Sequence, residues 1–278
     1  MTGFSTSWLA LREPADLRAR SSDIADAVQA RFFSREHIKV VDLGCGTGSN
    51  LRGTAALLPN FQSWTLVDYD AGLLTAARAE LSDWAEKSVD DGGVLKLEKG
   101  RQRLEVTFEK RDLSKGVGPV LESKPDLVTA AAFFDLVSSD FIRSFVGSVV
   151  EARAAFLTVL TYNGISQWAP RHPLDQSIIS AFHHHQATDK GFGPASGPTA
   201  PAHLADQFKI NGYIVSEGDS PWRLNDSHAQ LIADLRAGHV AAARDTKLVD
   251  ADTATKWGAL DRTGVVIGHT DTFAVPGG

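Results

Sequence analysis

The chain has 278 residues, of which 43% are hydrophobic and 22% are charged, the ordinary composition of one large globular domain or two smaller ones. Its single cysteine excludes an intramolecular disulfide framework and a cysteine-based zinc site. With 28 Lys and Arg against 34 Asp and Glu, the net charge is −6, which disfavours nucleic acid as a partner.

The amino-terminal segment is predicted to be helical. Between residues 5 and 35, apolar residues recur every three to four positions, the spacing of a helix with one buried face, and Pro14 is expected to break the helix. These residues are Trp8, Leu9, Leu11, Leu17, Ile24, Val28 and Phe32. We expect residues 1–35 to form a helical cap, and the segment has no pattern typical of a secretory signal.

Strands and helices then alternate along the chain. β-Branched and apolar runs predict strands at 37–43, 63–70, 104–114, 125–136 and 154–164, and helices at 49–58, 71–87 and 138–153. Residues 88–100 are rich in turn formers and polar residues. This alternation predicts a mostly parallel sheet with helices on both faces, with residues 36–162 as its core.

The regular alternation ends after Tyr162. Residues 163–200 are predicted to be an inserted helical lid, with a helix at 174–187 followed by a Gly/Pro loop. Residues 201–278 are expected to complete the sheet. This last region has predicted helices at 203–211 and 230–244, a strand at 213–217 and a final strand or hairpin at 264–276.

A glycine-rich turn follows the first predicted strand, in the sequence Val-Asp-Leu-Gly-Cys-Gly-Thr-Gly at 41–48. Glycine lets the backbone approach a ligand, and the carboxyl end of a strand is where open α/β sheets bind ligands. The dinucleotide fingerprint G-x-G-x-x-G/A fails in both registers, because its third position is Ser49 or Leu51. An NAD(P)-dependent reductase is therefore the less favoured alternative.

The turn does match the pattern D-x-G-x-G-x-G, with Asp42, Gly44, Gly46 and Gly48 at its four fixed positions. In this respect residues 38–161 resemble the class I S-adenosylmethionine-dependent methyltransferases. The resemblance implies a Rossmann-like, doubly wound α/β fold with a mostly parallel seven-stranded sheet, and S-adenosylmethionine as cofactor. It also implies that Asp68, twenty residues beyond Gly48, accepts hydrogen bonds from both ribose hydroxyls.

The resemblance implies further cofactor contacts. Asp112 corresponds to the acid that faces the adenine amino group, although a solvated turn acid remains the alternative, and Leu113 to the apolar residue that covers the ring. Asp70 directly precedes a predicted helix and is expected to be its N-cap. An arginine of the amino-terminal helix is expected to bind the methionine carboxylate. The alternative is that these arginines lie on a solvated face of the helix. The implied cofactor residues are Arg20, Asp42, Gly44, Cys45, Gly46, Asn50, Asp68, Tyr69, Asp112, Leu113 and Ala132.

The fourth predicted strand ends at Asp135, where the family lines the methyl-transfer site. A hydroxyl or ammonium acceptor needs a base, and the candidate catalytic residues are Asp135, Tyr162 and His184. The candidate substrate residues are Trp168, His172, His183, His185, Lys190, Trp222 and Arg223, of which the aromatic ones are alternatively core residues. Consecutive helical residues point about 100° apart, so His183–His185 cannot face one metal ion, and no metal site is expected.

The resemblance therefore implies methyl transfer from S-adenosylmethionine to a small-molecule acceptor. A non-catalytic S-adenosylmethionine-binding module is the second alternative. The longest nearly apolar run, Leu127–Phe134, is far shorter than the ~20 residues that span a bilayer, so we expect a soluble, cytoplasmic protein without membrane partners. A monomer or homodimer is expected, and the sequence does not identify the acceptor.

Overall fold

The computed structural model describes residues 4–277 and contains one mixed sheet with helices on both faces. The strands are β1 (His37–Leu43), β2 (Phe61–Asp68), β3 (Lys87–Asp91), β4 (Val94–Lys99), β5 (Gln102–Lys110), β6 (Leu127–Ala131), β7 (Ala155–Ala169), β8 (Tyr213–Asp219), β9 (Trp222–Leu224) and β10 (Gly264–Pro276). The helices are α1 (Thr6–Ala19), α2 (Ser22–Phe32), α3 (Ser49–Thr54), α4 (Ala71–Trp84), α5 (Gly118–Leu121), α6 (Ser139–Ala152), α7 (Asp175–Gln186), α8 (Ala200–Ile210), α9 (Ala229–Thr246) and α10 (Ala251–Gly258).

The sheet has ten strands in the order β3-β4-β5-β2-β1-β6-β7-β10-β8, with β9 paired to β10. The five central strands, from β5 to β7, are parallel. The flanking pairs are antiparallel. The prediction of a mostly parallel α/β sheet is confirmed for this centre, and the number of strands is ten rather than seven.

Two of the additional strands form a hairpin where the sequence predicted turns. β3 and β4 pair across Gly92 and Gly93, which both have positive φ, as a tight two-residue hairpin turn requires. Every residue of β3 is exposed, so that strand has no apolar alternation by which to recognise it. In β4 the alternation is present, because Leu95 and Leu97 are buried between polar residues.

The amino-terminal helical region breaks after Ala19 and not at Pro14, which lies inside α1. The reason is a contact that is distant in sequence: the backbone N–H of Ser21 donates to the carboxylate of Asp271 on β10, at 2.9 Å. That N–H is therefore not available to continue the helix. α1 and α2 are consequently two separate helices, joined at Arg20 and Ser21.

Asp271 connects three parts of the chain. Besides Ser21, its buried carboxylate accepts hydrogen bonds from the backbone N–H of Leu160 at 2.7 Å and from the hydroxyl of Ser220 at 2.5 Å. Leu160 has a φ of +59°, a conformation that is costly for a branched side chain. The hydrogen bond that Leu160 donates to Asp271 stabilises β7 in this conformation, directly beside the cavities described below.

The long antiparallel pair of β7 and β10 extends beyond the parallel strands. β7 was predicted to end at residue 164 but continues to Ala169, so it crosses the predicted lid boundary at residue 162. Helices α7, α9 and α10 pack around this extension, with Trp168 and Trp257 buried in edge-to-face contact. The division into a helical cap (1–35), a core (36–162), a lid (163–200) and a region that completes the sheet (201–278) remains a prediction. No helix within residues 4–277 has both the length and the apolarity to cross a membrane.

Candidate functional site

The glycine turn forms the floor of a crevice at the carboxyl ends of the parallel strands. Gly44, Gly46 and Gly48 have φ values of +62°, +54° and +79°, a region that other residues rarely adopt. A Cβ atom on Gly44 would lie 3.0 Å from the ring of Phe133, and one on Gly46 would lie 3.1 Å from Leu9. The turn therefore requires glycine for its conformation and for the close approach of its neighbours.

The crevice has a volume of about 240 Å³. Ten of the eleven predicted cofactor residues line it: Arg20, Gly44, Cys45, Gly46, Asn50, Asp68, Tyr69, Asp112, Leu113 and Ala132. The eleventh, Asp42, lies fully buried behind the lining. The thiol of Cys45 is also buried, and burial raises its pKa, so it has the character of a small packed residue rather than a nucleophile.

Asp68 holds the turn to the end of β2. Its Oδ2 accepts the N–H of Gly46 at 2.9 Å, and its Oδ1 accepts the N–H of Asp70 at 3.0 Å. Burial raises the pKa of this carboxyl, against the lowering effect of the two backbone donors. Each carboxylate oxygen has two lone pairs, so each can accept a further hydrogen bond from a ligand in the crevice.

The prediction that Asp70 caps a helix is confirmed. It is the N-cap of α4, and its Oδ1 accepts the backbone N–H groups of Gly72 at 2.7 Å and Leu73 at 3.3 Å. Asp112 also accepts hydrogen bonds from a neighbouring residue, and in addition it lines the crevice. Its Oδ1 accepts from the backbone and the hydroxyl of Ser114, and this hydroxyl contact lowers the pKa of Asp112.

A buried polar network supports the crevice from behind. The amide of Asn50 donates to Asp42 at 2.7 Å and to Thr129 at 3.0 Å, and Arg20 donates to Asn50 and to Thr54, each at 2.9 Å. Burial raises the pKa of Asp42 to about 7, an effect that the hydrogen bond from Asn50 and the charge of Arg20 oppose. Arg20 thus holds the network together and also contributes to the wall of the crevice.

Helix α1 covers the crevice. Its Arg12 forms an ion pair with Asp16, with Nε 2.8 Å from Oδ2, and the guanidinium lies 5.3 Å from the centre of the Trp222 ring. The indole N–H of Trp222 donates to the same Asp16 at 3.0 Å. Arg12 therefore has a fixed position, and it lines both the crevice and a second cavity behind it.

The second cavity has a volume of about 130 Å³ and contains Asp135. It shares five lining residues with the crevice: Phe4, Arg12, Ala132, Leu136 and Leu160. The amide of Gln186 donates to Asp135 Oδ2 at 2.9 Å, and within residues 4–277 Asp135 Oδ1 has no hydrogen-bond partner. Burial raises the pKa of Asp135 to about 6. A carboxyl in this state is suited to accept a proton near neutral pH.

Tyr162 and Trp222 also line the second cavity. The hydroxyl of Tyr162 lies 2.8 Å from Nε2 of His183, a hydrogen-bond distance, so His183 orients Tyr162 from behind. Burial raises the pKa of Tyr162, which keeps its hydroxyl protonated at neutral pH. Two of the three predicted catalytic residues, Asp135 and Tyr162, are thus brought to one cavity.

The other predicted substrate and catalytic residues lie elsewhere. His184 is exposed, because it follows His183 on α7 and so points about 100° away from Tyr162, and this position gives no support for a catalytic role. His185 faces Asp245 at 3.6 Å. Lys190 lines the cofactor crevice and not the second cavity.

The three remaining predicted substrate residues are also outside the second cavity. Trp168 is a core residue, since it is almost fully buried against Trp257. His172 lies just before α7 and accepts the backbone N–H of Leu174. Arg223 is exposed, because alternate residues of β9 point to opposite faces and Trp222 takes the inner one.

Sequence reasoning missed several residues of the second cavity, which are Trp8, Phe182, Gln186, Leu235, His239, Ile267 and His269. A signal existed for one of them. Leu231, Leu235 and His239 recur every four residues on α9, and a histidine on an apolar helix face is buried among apolar neighbours. His269 lies within an apolar strand that gave no such indication.

A larger cavity, of about 820 Å³, lies at the opposite ends of the parallel strands, between Phe61, Arg103 and the β3–β4 hairpin. It is open and charged, and it contains none of the buried unpartnered polar atoms found in residues 4–277. Because the glycine turn and the acids of the crevice are at the carboxyl ends of the parallel strands, we assign the site to those ends. The described residues contain no group of three or more His, Cys, Asp or Glu side chains placed to hold a metal ion.

No protein-family model and no curated protein matches the chain. Among solved structures, the YcgJ protein from Bacillus subtilis is similar, with a TM-score of 0.52 and 14% identity, over 93% of this chain and 100% of the other. A candidate methyltransferase from Bacillus halodurans has a TM-score of 0.52 and 10% identity, over 91% and 97% of the two chains. The cyclopropane synthase MmaA2 from Mycobacterium tuberculosis has a TM-score of 0.51 and 12% identity, over 98% and 94%.

These likenesses extend over nearly the full length of each chain. The protein therefore has the fold of the class I S-adenosylmethionine-dependent methyltransferases, and the resemblance inferred from the glycine turn is confirmed at the level of the fold.

Proposed function

We propose that the protein transfers the methyl group of S-adenosylmethionine to a small-molecule acceptor. One observation carries the proposal. The crevice above the glycine turn and the cavity that contains Asp135 share a wall formed by Arg12, Ala132 and Leu160. A donor and an acceptor bound on the two sides of this wall would be neighbours, which is the first requirement for a direct group transfer.

The crevice has the features that S-adenosylmethionine requires. The positive-φ backbone at Gly44 and Gly46 would leave room for the methionine end, and a Cβ atom at these positions would crowd Phe133 and Leu9, which line the same crevice. Asp68 retains lone pairs for the two ribose hydroxyls. Asp112 and Leu113 would contact the adenine, through its amino group and its ring face. The cofactor, when bound, supplies a sulfonium-linked methyl group that needs no further activation.

The residues of this chain then have to position the acceptor and remove its proton. In our proposal Asp135 Oδ1 takes that proton, because it is buried and unpartnered among residues 4–277 and its pKa is raised to about 6. Tyr162, held by His183, orients the acceptor. Leu136 and Leu160 exclude water from the shared wall. An aspartate that acts in this way makes turnover rise as the pH increases through its pKa.

Calorimetry tests the first half of the proposal. The protein is titrated with S-adenosylmethionine, S-adenosylhomocysteine and, separately, NADH. We expect micromolar binding of the first two compounds and none of NADH. Absence of heat with both sulfur compounds at high concentration, or binding of NADH alone, contradicts the proposal. Release of S-adenosylhomocysteine in a screen of small-molecule acceptors then distinguishes an enzyme from a binding module.

We further propose that residues 163–200 act as a lid over the two cavities. Gln186 binds Asp135, Lys190 and Phe192 line the cofactor crevice, and the Phe192 ring lies 5.6 Å from that of Phe133. The segment therefore contacts both halves of the site. Hydrogen exchange across 163–200 should slow when S-adenosylhomocysteine and an acceptor bind together. Unchanged exchange there, with slowing at residues 41–48 in the same experiment, would leave the segment a structural insertion only.

A further inference from the structure

The buried polar atoms that lack a partner on the residues lining the second cavity are all hydrogen-bond acceptors. Asp135 Oδ1, Gln186 Oε1 and His239 Nε2 are buried and have no partner among the residues that the structure describes. Leaving a buried polar group unpaired costs about 1–3 kcal/mol, so three such atoms on residues that line one cavity indicate a ligand that pairs with them. The kind of ligand depends on whether these atoms donate or accept.

The two histidines of the cavity accept through Nε2. His239 Nδ1 lies 2.8 Å from the carbonyl oxygen of Leu235, and His269 Nδ1 lies 3.2 Å from that of Ser220. A carbonyl oxygen can only accept, so in each ring Nδ1 carries the proton. Burial lowers the pKa of His239 to about 4 and that of His269 to about 3, so both rings are neutral at pH 7. In a neutral ring the other nitrogen, Nε2, is an acceptor.

Asp135 and Gln186 present acceptors for a related reason. The Gln186 amide nitrogen donates to Asp135 Oδ2, so the oxygen of the amide, Oε1, is the group left unpaired. The carboxylate itself only accepts when it is ionised. The charge of Arg12 favours that ionised form.

The charges and the walls of the cavity favour a cation. Arg12 and its ion-pair partner Asp16 carry opposite charges, so these two residues and an ionised Asp135 together carry one negative charge. Trp8, Phe182 and Trp222 supply aromatic surface, which attracts cations. The volume of about 130 Å³ is close to that of a protein cavity that holds benzene, roughly 150 Å³, so the part of the ligand within it is about one ring in size.

We infer that the methyl acceptor is an amine, bound as its ammonium form by Asp135, Gln186 and His239, on an apolar body of about one ring. An ammonium brings several N–H donors and one positive charge, which matches the acceptors and the single negative charge of the cavity. This inference rests on the proposed function, because it names the acceptor of the same site.

The chemical step balances with these groups. The ammonium gives one proton to Asp135 and becomes a neutral amine. The nitrogen lone pair then forms the new N–CH₃ bond while the S–CH₃ bond breaks and its electron pair stays on sulfur. The products are an N-methylammonium and neutral S-adenosylhomocysteine, and Asp135 releases its proton to solvent. No oxidant or further reactant is needed.

The test compares benzylamine with benzyl alcohol, which has the same shape but no charge. Both are titrated into the protein saturated with S-adenosylhomocysteine at pH 7. We expect benzylamine to bind about tenfold tighter or more, as loss of a charge-assisted hydrogen bond predicts. Asp135→Asn should abolish this preference, and Asp140→Asn, an exposed aspartate of α6, should retain it. Mass spectrometry should detect N-methylbenzylamine when S-adenosylmethionine replaces the product.

The outcomes distinguish failure of the amine inference from failure of the proposed function. If S-adenosylhomocysteine binds but benzyl alcohol binds as tightly as benzylamine, or if neither compound binds, the amine inference is wrong and the proposed function stands. Persistence of the preference in folded Asp135→Asn also overturns the inference. If S-adenosylhomocysteine itself does not bind, the proposed function fails. The wild-type comparison decides the question even if Asp135→Asn does not fold.

Discussion

Asp68 and Asp70 are two residues apart and both accept backbone N–H groups, yet they should respond differently to replacement by alanine. Asp70→Ala removes the N-cap of α4, which costs about 1 kcal/mol of stability. Asp68→Ala releases the N–H groups of Gly46 and Asp70 and should cost a similar amount, about 1–2 kcal/mol. Stability therefore does not distinguish the two variants.

Affinity for the cofactor should distinguish them. Asp68 lines the crevice with lone pairs available for the ribose hydroxyls, and losing a charged acceptor costs about 1.5–3 kcal/mol, or roughly 10–150-fold in Kd. The oxygen of Asp70 that caps α4 already accepts two backbone donors, so Asp70→Ala should leave the Kd close to the wild-type value. Asp68→Asn, which has the same shape but one acceptor oxygen fewer, should be intermediate.

The assay pairs calorimetric titration with S-adenosylhomocysteine and urea unfolding of the same preparations. The unfolding data show whether each variant is folded at the temperature of the titration. Equal losses of affinity in Asp68→Ala and Asp70→Ala would refute the assignment of Asp68 to the ribose. An affinity loss confined to Asp70→Ala would reverse it.

Three further predictions follow from the same geometry. Gly46→Asp should abolish binding of S-adenosylhomocysteine in calorimetry, since its Cβ atom would crowd Leu9, whereas Gly100→Asp, at a similar φ of +55° in open space, should bind normally. Asp42→Asn should gain stability relative to the wild type as the pH rises from about 4 to 7, by up to about 4 kcal/mol in urea unfolding. The pKa of Asp42 is about 7 in the folded state against 3.8 in the unfolded chain, so over this range the unfolded wild type loses a proton that the folded wild type retains, and its stability falls. A parallel pH dependence of both proteins would contradict this origin. Asp271→Ala should lower the free energy of unfolding by about 3 kcal/mol or more, because three donors, two of them buried, lose a charged acceptor. A loss under about 1 kcal/mol would show that these donors find other partners.

The parallel centre of the sheet and the crevice could be predicted because their signals are local. β1 is a short run rich in β-branched residues, the glycine turn follows it directly, and Asp68 ends the next strand. Such patterns need no knowledge of distant residues. The N-cap at Asp70 was predictable for the same reason, since the cap and its helix are adjacent in sequence.

The second cavity could be predicted only in part, because its residues come from distant segments. Asp135 and Tyr162 lie near the carboxyl ends of predicted strands, but Gln186, His239 and His269 reach the cavity through the packing of α7, α9 and β10. Strand β3 was missed because it is exposed on both faces, and β9 because it has only three residues. The break in the amino-terminal helix depends on a contact with a residue 250 positions away, which no local pattern reveals.

The contact between Ser21 and Asp271 also bears on the order in which the protein is made. A chain emerging from the ribosome presents the glycine turn and Asp68 early, while β10 is synthesised long afterwards. Until residue 271 is available, the carboxylate that ends α1 and supports the strained backbone at Leu160 is missing. Contacts of such long sequence separation form late and slowly, so a nascent chain acquires the covering of its crevice last.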